Sequence, residues 1–127
     1  MAEPLKLQVL GESMAICRIE AKLPLPDWAC EGDFYSITRS SEELSIICPA
    51  DIIPTGVKAD SGWHAIKVVG PLDFSLTGVL SSLLEPLAAA NISILSLSTY
   101  DTDYVFVRAE VLEDALQVLQ TAGHQLI

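Results

Sequence analysis

The second half of the chain has the clearest pattern of hydrophobic and polar positions. Apolar residues at steps of three and four predict an amphipathic helix that begins near Gly78 and ends near Asn91. Asp73 or Ser75 is expected to cap this helix, and Pro86 is expected to kink its last turns. A second stripe predicts another helix, which Gly123 ends. The two stripes consist of Leu76, Val79, Leu80, Leu83, Leu84 and Leu87, and of Leu112, Ala115, Leu116 and Leu119.

Short apolar runs on either side of these helices predict β-strands. The runs cover residues 64–70, 92–97, 104–107 and 125–127. Together with the two helices they follow the order βαββαβ, which many ferredoxin-like folds share.

The first half predicts similar strands but no regular helix. Strands are expected at residues 5–9, 14–20, 34–39 and 44–48. Pro24 and Pro26 stand where a first helix would begin, and prolines remove the donors that a helix interior needs. A weak internal repeat with a shift of 60 positions aligns Glu43 with Asp103.

These patterns predict an α+β protein made of two ferredoxin-like units. The loop-rich stretch 49–62 is the expected boundary, so the units are residues 1–62 and 63–127. Each unit should carry its helices on one face of an antiparallel sheet. The N-terminal unit should be the degenerate member of the pair.

Composition excludes several classes of function. The 127 residues include 7 basic and 17 acidic side chains, and the net charge of −10 argues against binding to nucleic acid or an anionic membrane. No apolar run approaches the roughly 20 residues of a membrane span. Three cysteines, Cys17, Cys30 and Cys48, fit neither a disulfide framework nor a zinc site, so a reducing cytoplasm is the simplest location. We expect no cofactor and no catalytic activity, because paired catalytic carboxylates and phosphate-binding loops are missing from the sequence.

The most informative polar segment is the turn at residues 98–103, which reads Ser-Thr-Tyr-Asp-Thr-Asp between two apolar strands. Such a turn can hold a small polar ligand. Asp103 can instead close the turn through its own backbone, as Asx-turns do. Asp101 and Asp103 are too few hard ligands for a metal site made by protein alone. Gly78 has a structural alternative too, namely close packing of a helix on a sheet.

Three segments together resemble one branch of the ACT-domain family of small-molecule sensors. They are Gly78-Val79-Leu80, the run Glu-Pro-Leu-Ala-Ala-Ala at 85–90, and Leu97 followed by the turn at 98–103. The branch comprises small bacterial tandem-ACT proteins and the CASTOR-type arginine sensors. The resemblance is closest over residues 63–127.

The resemblance implies a non-catalytic amino-acid-sensing or regulatory module that binds its ligand at an interface between ACT units. Carried over by position, the implied ligand-binding residues are Gly78, Ser93, Ile94, Thr99, Tyr100 and Asp103. Arginine sensors have an acidic residue three positions after the glycine, whereas this chain has Ser81. The implied partners are a free amino acid or a similar small molecule and a second copy of the chain, which pairs through the 125–127 edge. The alternative function is a structural or partner-binding ACT dimer without a ligand.

Overall fold

The computed structural model of the chain describes residues 4–70, 72 and 78–127. These residues form an α+β protein of eight strands and two α-helices, as the sequence predicted. The chain divides into two compact units. We call Glu12–Trp63 the inserted unit, and Met1–Gly11 together with His64–Ile127 the flanking unit. The proposed cap residues Asp73 and Ser75, and Leu76 of the first helix stripe, lie outside the described residues.

The inserted unit is an antiparallel sheet with 3-10 turns and no α-helix in residues 12–63. Its strands are ordered β3-β4-β2-β5, and only residues 58–63 of β5 belong to this unit. The buried core of this unit consists of Cys17, Leu44, Ile46 and Cys48 together with Ala29, which lies in a 3-10 helix that follows Pro26. The elements are β2 (Met14–Ile19), β3 (Ser36–Arg39), β4 (Leu44–Pro49), β5 (Lys58–Val68) and the 3-10 helices Asp27–Cys30 and Ala50–Ile52.

The flanking unit has the predicted βαββαβ order and one additional strand. Its strands are ordered β6-β7-β5-β1-β8. The core joins the sheet to both helices through Leu7, Ile66, Val68, Leu83, Leu87, Val105, Val107, Ala115 and Leu119. The elements are β1 (Lys6–Val9), the end of β5, α1 (Val79–Ala89), β6 (Ile94–Ser98), β7 (Asp103–Arg108), a 3-10 turn (Ala109–Val111), α2 (Leu112–Thr121) and β8 (Gln125–Leu126).

The N-terminal strand lies in a different place from the one predicted. The sequence assigned residues 5–9 to the first unit, whereas β1 pairs antiparallel with β5 and parallel with β8 in the flanking unit. The β1–β8 pair is parallel, whereas the β1–β5, β2–β4, β2–β5, β3–β4 and β6–β7 pairs are antiparallel. Apolar alternation identified β1 as a strand, but alternation says nothing about which neighbour a strand will pair with.

The second difference concerns the predicted loop at 49–62. Residues 58–62 belong to β5 and pair with β2, with Lys58 opposite Arg18 and Asp60 opposite Ile16. Residues 58–61 are exposed, and all five residues are polar or small, so the apolar alternation that reveals a half-buried strand is missing there.

Pro86 lies inside α1, which continues to Ala89. Because proline has no N–H, the carbonyl of Ser82 loses its usual helical partner. The buried side chain of His124 replaces that partner, since its Nε2 lies 3.1 Å from the Ser82 oxygen. The Leu5 backbone N–H donates to the other ring nitrogen, Nδ1, at 3.1 Å. Nε2 is therefore the nitrogen that carries hydrogen, and His124 links α1 to the chain that enters β1.

Candidate functional site

The turn between β6 and β7 is closed by its own hydrogen bonds. The Thr99 N–H donates to the Thr102 carbonyl at 2.8 Å, and the Thr99 hydroxyl donates to the same oxygen at 3.1 Å. The Thr102 N–H donates to the Thr99 hydroxyl at 3.3 Å. Thr99 therefore shapes the turn through its hydroxyl, while Tyr100 at the tip is 82% exposed.

The same turn is fixed to the end of β5. The buried Thr102 hydroxyl donates to the Val68 carbonyl at 2.5 Å, and the Leu72 N–H donates to the Asp101 carbonyl at 2.6 Å. Gly70 lies between these bonds, and a Cβ at this position would be 2.9 Å from the Asp101 oxygen. Glycine is needed there because backbone atoms of the turn occupy the space of a side chain.

Asp103 lies on the helix-bearing face of the sheet. Alternation along β7 places its side chain on the same face as Val105 and Val107, which pack in the core with Leu83 and Leu87 of α1. Asp103 is directly opposite Ser98, whose hydroxyl donates to Oδ1 at 2.5 Å. The Asp103 carboxylate therefore accepts a hydrogen bond from the neighbouring strand, while Thr99 closes the backbone of the turn.

Gly78 is the N-cap residue, directly before the first residue of α1. It has a left-handed backbone conformation, with φ +77, which glycine adopts without strain. A Cβ at Gly78 would meet none of the described atoms within 4 Å, so close packing among the described residues does not require the glycine. The Gly78 carbonyl accepts the first helical bond, from the Ser82 N–H at 2.9 Å. The backbone N–H groups of the first turn point toward this exposed end of α1.

Topology brings Gly78 to the same end of the sheet as the turn. α1 ends beside the start of β6, where the Ile92 N–H donates to the Leu87 carbonyl at 3.0 Å. Its beginning therefore lies toward the opposite end, where β5 finishes and Leu72 bonds to Asp101. Gly78, Thr99, Tyr100 and Asp103 thus belong to one end of the flanking unit.

Ser93 and Ile94 lie at the other end. Ser93 directly precedes β6 and Ile94 is its first residue, so the length of the five-residue strand lies between them and the turn. At about 3.3 Å per residue this is roughly 16 Å. One copy of the flanking unit therefore does not gather all six predicted residues around one small molecule.

Two residues that shape the site, Gly70 and Thr102, were missing from the predicted set. Thr102 is buried within a polar run, and Gly70 ends an apolar strand just before the segment that leads to α1. A buried hydroxyl in a turn is not distinguishable from an exposed one by sequence pattern alone.

Grooves formed by described residues also occur in the inserted unit. One of about 430 Å³ is lined by Glu12, Ser13, Ala50 and Asp51. Another of about 250 Å³ lies across β2, β4 and β5, near Arg18 and Lys58. Neither groove includes a predicted ligand-binding residue. Within the part of the chain that the structure describes, no three His, Cys, Asp or Glu side chains gather to hold a metal ion.

The family follows from the sequence of the flanking unit. The family model of the ACT domain matches residues 58–121, half of the 127-residue chain. The chain belongs to the ACT-domain family. A separate model, for an N-terminal domain, matches residues 12–56, which fall within the inserted unit. The ACT ancestry of the inserted unit therefore stays a prediction.

Solved structures support this ACT fold. Protein Atu0741 from Agobacterium tumefaciens is 42% identical with a TM-score of 0.94, covering 99% of this chain and 94% of that one. The regulatory subunit of aspartate kinase from Thermus thermophilus is 15% identical with a TM-score of 0.65, covering 92% of this chain and 97% of that one. The second likeness concerns the fold alone.

A curated relative comes from the arginine-sensor branch. The cytosolic arginine sensor for mTORC1 subunit 1 of Homo sapiens is 32% identical over 73 residues. The alignment includes 57% of this chain and only 22% of that protein. The predicted relation to CASTOR-type proteins is confirmed. Neither α1 nor α2, the two α-helices among the described residues, has the length and hydropathy to cross a membrane.

Proposed function

We propose that this chain is a non-catalytic regulatory module that senses a free amino acid. The observation that carries the proposal is the position of Asp103, whose carboxylate lies on the helix-bearing face at the end where α1 begins. An amino acid presents a carboxylate and an ammonium group a few ångströms apart. A helix N-terminus favours the first, and an aspartate favours the second.

Gly78 allows the ligand to approach the helix amides, since it has no side chain in the way. Tyr100, exposed at the tip of the turn, provides a wall, and the Thr99 backbone holds the tip in shape. In this role Thr99 and Tyr100 set the form of the pocket, and Asp103 supplies its negative charge.

Ser93 and Ile94 contribute from a second ACT unit in our proposal. The strand length between them and the turn places them too far from Asp103 of the same copy. A homodimer in which each copy offers its turn end to the other's Ser93 end brings both sets together. We place this dimer in the cytoplasm, where free Cys17, Cys30 and Cys48 would stay reduced.

A thermal-shift screen with the twenty amino acids is the first test, because a ligand that binds only the native state raises its stability. Calorimetry then compares wild type with Asp103→Asn. Loss of one partner of a buried charge pair costs roughly 3–5 kcal/mol, so binding should weaken by hundreds-fold or more. Asp101→Asn is the matched control, since Asp101 is exposed in the same turn and uses its backbone oxygen.

Three results would contradict the proposal. If Asp103→Asn binds the amino acid as tightly as wild type does, Asp103 is not part of the site. Light scattering that reports a monomer at high micromolar concentration would contradict the proposed dimer. If no amino acid binds wild type at millimolar concentration, the ligand-free structural dimer becomes the better account.

A further inference from the structure

The inserted unit contains most of the large hydrophobic side chains that are exposed among the described residues. Leu23, Leu25 and Tyr35 are 48%, 39% and 43% exposed, and only Tyr100 and Ile127 of the flanking unit join them. We propose that these three side chains and the outer edge of β3 form a docking surface for a basic, extended peptide segment of a partner protein. We call it the β3-edge surface. The proposal concerns the inserted unit and does not depend on the proposed sensing function.

The outer edge of β3 is open to an additional strand. β3 is the last strand in the order β3-β4-β2-β5, and no other described strand pairs with its outer side. The Ser40 N–H donates to the Glu43 carbonyl at 2.9 Å, so Ser40 occupies a hydrogen-bonded position of the hairpin. Because such positions alternate along antiparallel strands, the backbone N–H and C=O groups of Ile37 and Arg39 point away from β4. An extended peptide can pair with these groups.

The segment that crosses from β2 to β3 brings an apolar side chain close to one end of this edge. The guanidinium of Arg39, the last residue of β3, donates to the Ala21 carbonyl. Leu23, two residues further along the chain, therefore lies within about 7 Å of Ala21. Tyr35 directly precedes β3, so the length of the four-residue strand places it roughly 13 Å from Arg39. Leu23 and Tyr35 thus lie toward opposite ends of the open edge.

The crossing segment is ordered before any partner binds. The Leu23 N–H donates to the Glu20 carbonyl at 3.1 Å, and the two prolines that follow restrict the backbone at residues 24–26. Further along, Ala29 is fully buried in the core of the inserted unit. The segment is therefore held on both sides of Leu25, which nevertheless stays exposed. A surface that is already ordered loses little conformational entropy on binding.

Charge indicates the kind of partner that fits the β3-edge surface. Residues 20–35 contain four exposed acidic side chains and one exposed basic side chain. They are Glu20, Asp27, Glu31, Asp33 and Lys22. A segment rich in lysine or arginine complements this negative potential. A second copy of the chain would bring the same acidic residues to the interface, and like charges oppose that pairing.

Nuclear magnetic resonance on the isotope-labelled full-length protein tests the proposal with synthetic peptides. The probe is a peptide of about eight residues in which lysine and valine alternate, because this pattern favours a strand with one basic face. At millimolar concentration it should shift the backbone amide signals of Ile37, Arg39 and Leu23. A glutamate–valine peptide of equal length has the opposite charge, and we expect it to bind at least about ten-fold more weakly.

A pair of variants tests the apolar part of the surface. Leu23→Ser should weaken binding of the lysine–valine peptide by at least about three-fold, because the peptide would cover less apolar area. Ile127→Ser is the matched control, since it removes an exposed aliphatic side chain from the flanking unit and should leave this affinity unchanged. Both positions are exposed, so both variants should stay folded, and the same spectra report their folding.

Several results would overturn the proposal. Peptide-induced shifts confined to residues outside the β3-edge surface, or equal affinities of Leu23→Ser and wild type, would show that the peptide does not dock there. Equal binding of the two peptides would exclude a basic partner. If wild type without peptide shows concentration-dependent shifts at β3, a second copy occupies the edge instead. If neither peptide shifts any signal at millimolar concentration, the surface does not bind extended segments of this kind.

Discussion

The β3–β4 hairpin of the inserted unit and the β6–β7 hairpin of the flanking unit turn through the same four-residue loop. The Ser40 N–H donates to the Glu43 carbonyl at 2.9 Å, and the Thr99 N–H donates to the Thr102 carbonyl at 2.8 Å. In both, the hydroxyl of the first residue accepts from the N–H of the fourth, at 3.2 and 3.3 Å. The two turns therefore have one backbone design.

The side chains at the ends of the turns differ. Arg39 and Leu44 close the first turn, whereas Ser98 and Asp103 close the second. Leu44 is fully buried in the core of its unit, while the Asp103 carboxylate is partly exposed and accepts from Ser98. The two hairpins therefore differ at this position, where one places a leucine in its core and the other a partly exposed carboxylate. The common backbone provides the position, and the side chains provide the chemistry.

Substituting Leu44 by aspartate and Asp103 by leucine should give the largest difference in the free energy of unfolding between the two hairpins. Leu44→Asp removes a buried leucine and places a charge in the core, which should cost the inserted unit about 4 kcal/mol or more. Asp103→Leu should change the stability of the flanking unit by no more than about 1 kcal/mol, because Asp103 is partly exposed beside an apolar face.

Spectroscopy can follow the two units separately in this experiment. Both tryptophans, Trp28 and Trp63, lie in the inserted unit, so their fluorescence reports its unfolding. Both described α-helices lie in the flanking unit, so circular dichroism at helical wavelengths reports that one. Equal losses from Leu44→Asp and Asp103→Leu would show that the two positions are not distinguished by burial.

The sequence predicted both hairpins, but the internal repeat aligned their residues with a shift that is one position too large. The closing pairs correspond at an offset of 59 positions, and the predicted repeat used 60. At 59, the buried Ile46 corresponds to Val105 and the buried Cys48 to Val107, both in the flanking core. At an offset of 60, the same core residues would correspond to residues whose side chains point to the other face of the sheet. The reason is that a shift of one position along a strand exchanges its two faces.

Side-chain pattern therefore revealed the elements but not their pairing. Helix stripes and apolar runs gave the βαββαβ order, and Gly78 and Asn91 marked the limits of α1 correctly. The placement of β1 beside β5 and β8 depends on long-range hydrogen bonds, which leave no local signature. Likewise Asp103 could be identified as a candidate, but its bond to Ser98 and the hold of Thr102 on Val68 depend on three-dimensional contacts.

Alkaline pH should weaken the inserted unit through its two buried thiols. Burial, the neighbouring Cys17 charge and the hydrogen bond with Cys17 raise the pKa of Cys48 to about 12 from an ordinary 9.0. Burial also raises the pKa of Cys17. The native state keeps these protons where the unfolded chain has lost them. The contribution of Cys48 to stability is therefore constant below about pH 9 and falls as pH rises toward 12, by about 1.4 kcal/mol per pH unit. The raised pKa of Cys17 acts in the same direction.

The comparison of hairpins supplies the control for this prediction. Val107 corresponds to Cys48 and does not titrate, so Cys48→Val makes the inserted hairpin like the other one. Denaturant unfolding followed by tryptophan fluorescence between pH 8 and 11 should show a smaller decline for Cys48→Val than for wild type. Parallel declines in the two proteins would mean that other groups cause the alkaline loss.

The fourth residue of each turn should respond differently to loss of its polar group. Thr102→Val removes the buried hydroxyl that donates to Val68, which should destabilise the flanking unit by about 1–2 kcal/mol. Thr102→Ser retains the hydroxyl and should recover most of this loss. Glu43 is the corresponding residue of the other turn and is exposed, so Glu43→Gln should stay within about 0.5 kcal/mol. Circular dichroism of the helices measures the change in the flanking unit, and tryptophan fluorescence measures the change in the inserted unit. A Thr102→Val protein as stable as wild type would contradict a stabilising role for the bond from Thr102 to Val68.

The first residue of each turn should show the smallest difference between the hairpins. Ser40→Ala removes a hydroxyl that accepts from the N–H groups of Glu42 and Glu43, both at 3.2 Å. Thr99→Ala removes a hydroxyl that accepts from Thr102 at 3.3 Å and donates to its carbonyl at 3.1 Å. Each substitution should lower the free energy of unfolding by about 0.5–1 kcal/mol, because water replaces part of the hydrogen bonding of the hydroxyl in these exposed turns. Chemical denaturation of both variants should give losses that agree within about 0.5 kcal/mol. A much larger loss for Thr99→Ala would mean that Thr99 also maintains the contacts between its turn and β5. The two hairpins would then differ in how their turn backbones are held, as well as in their side chains.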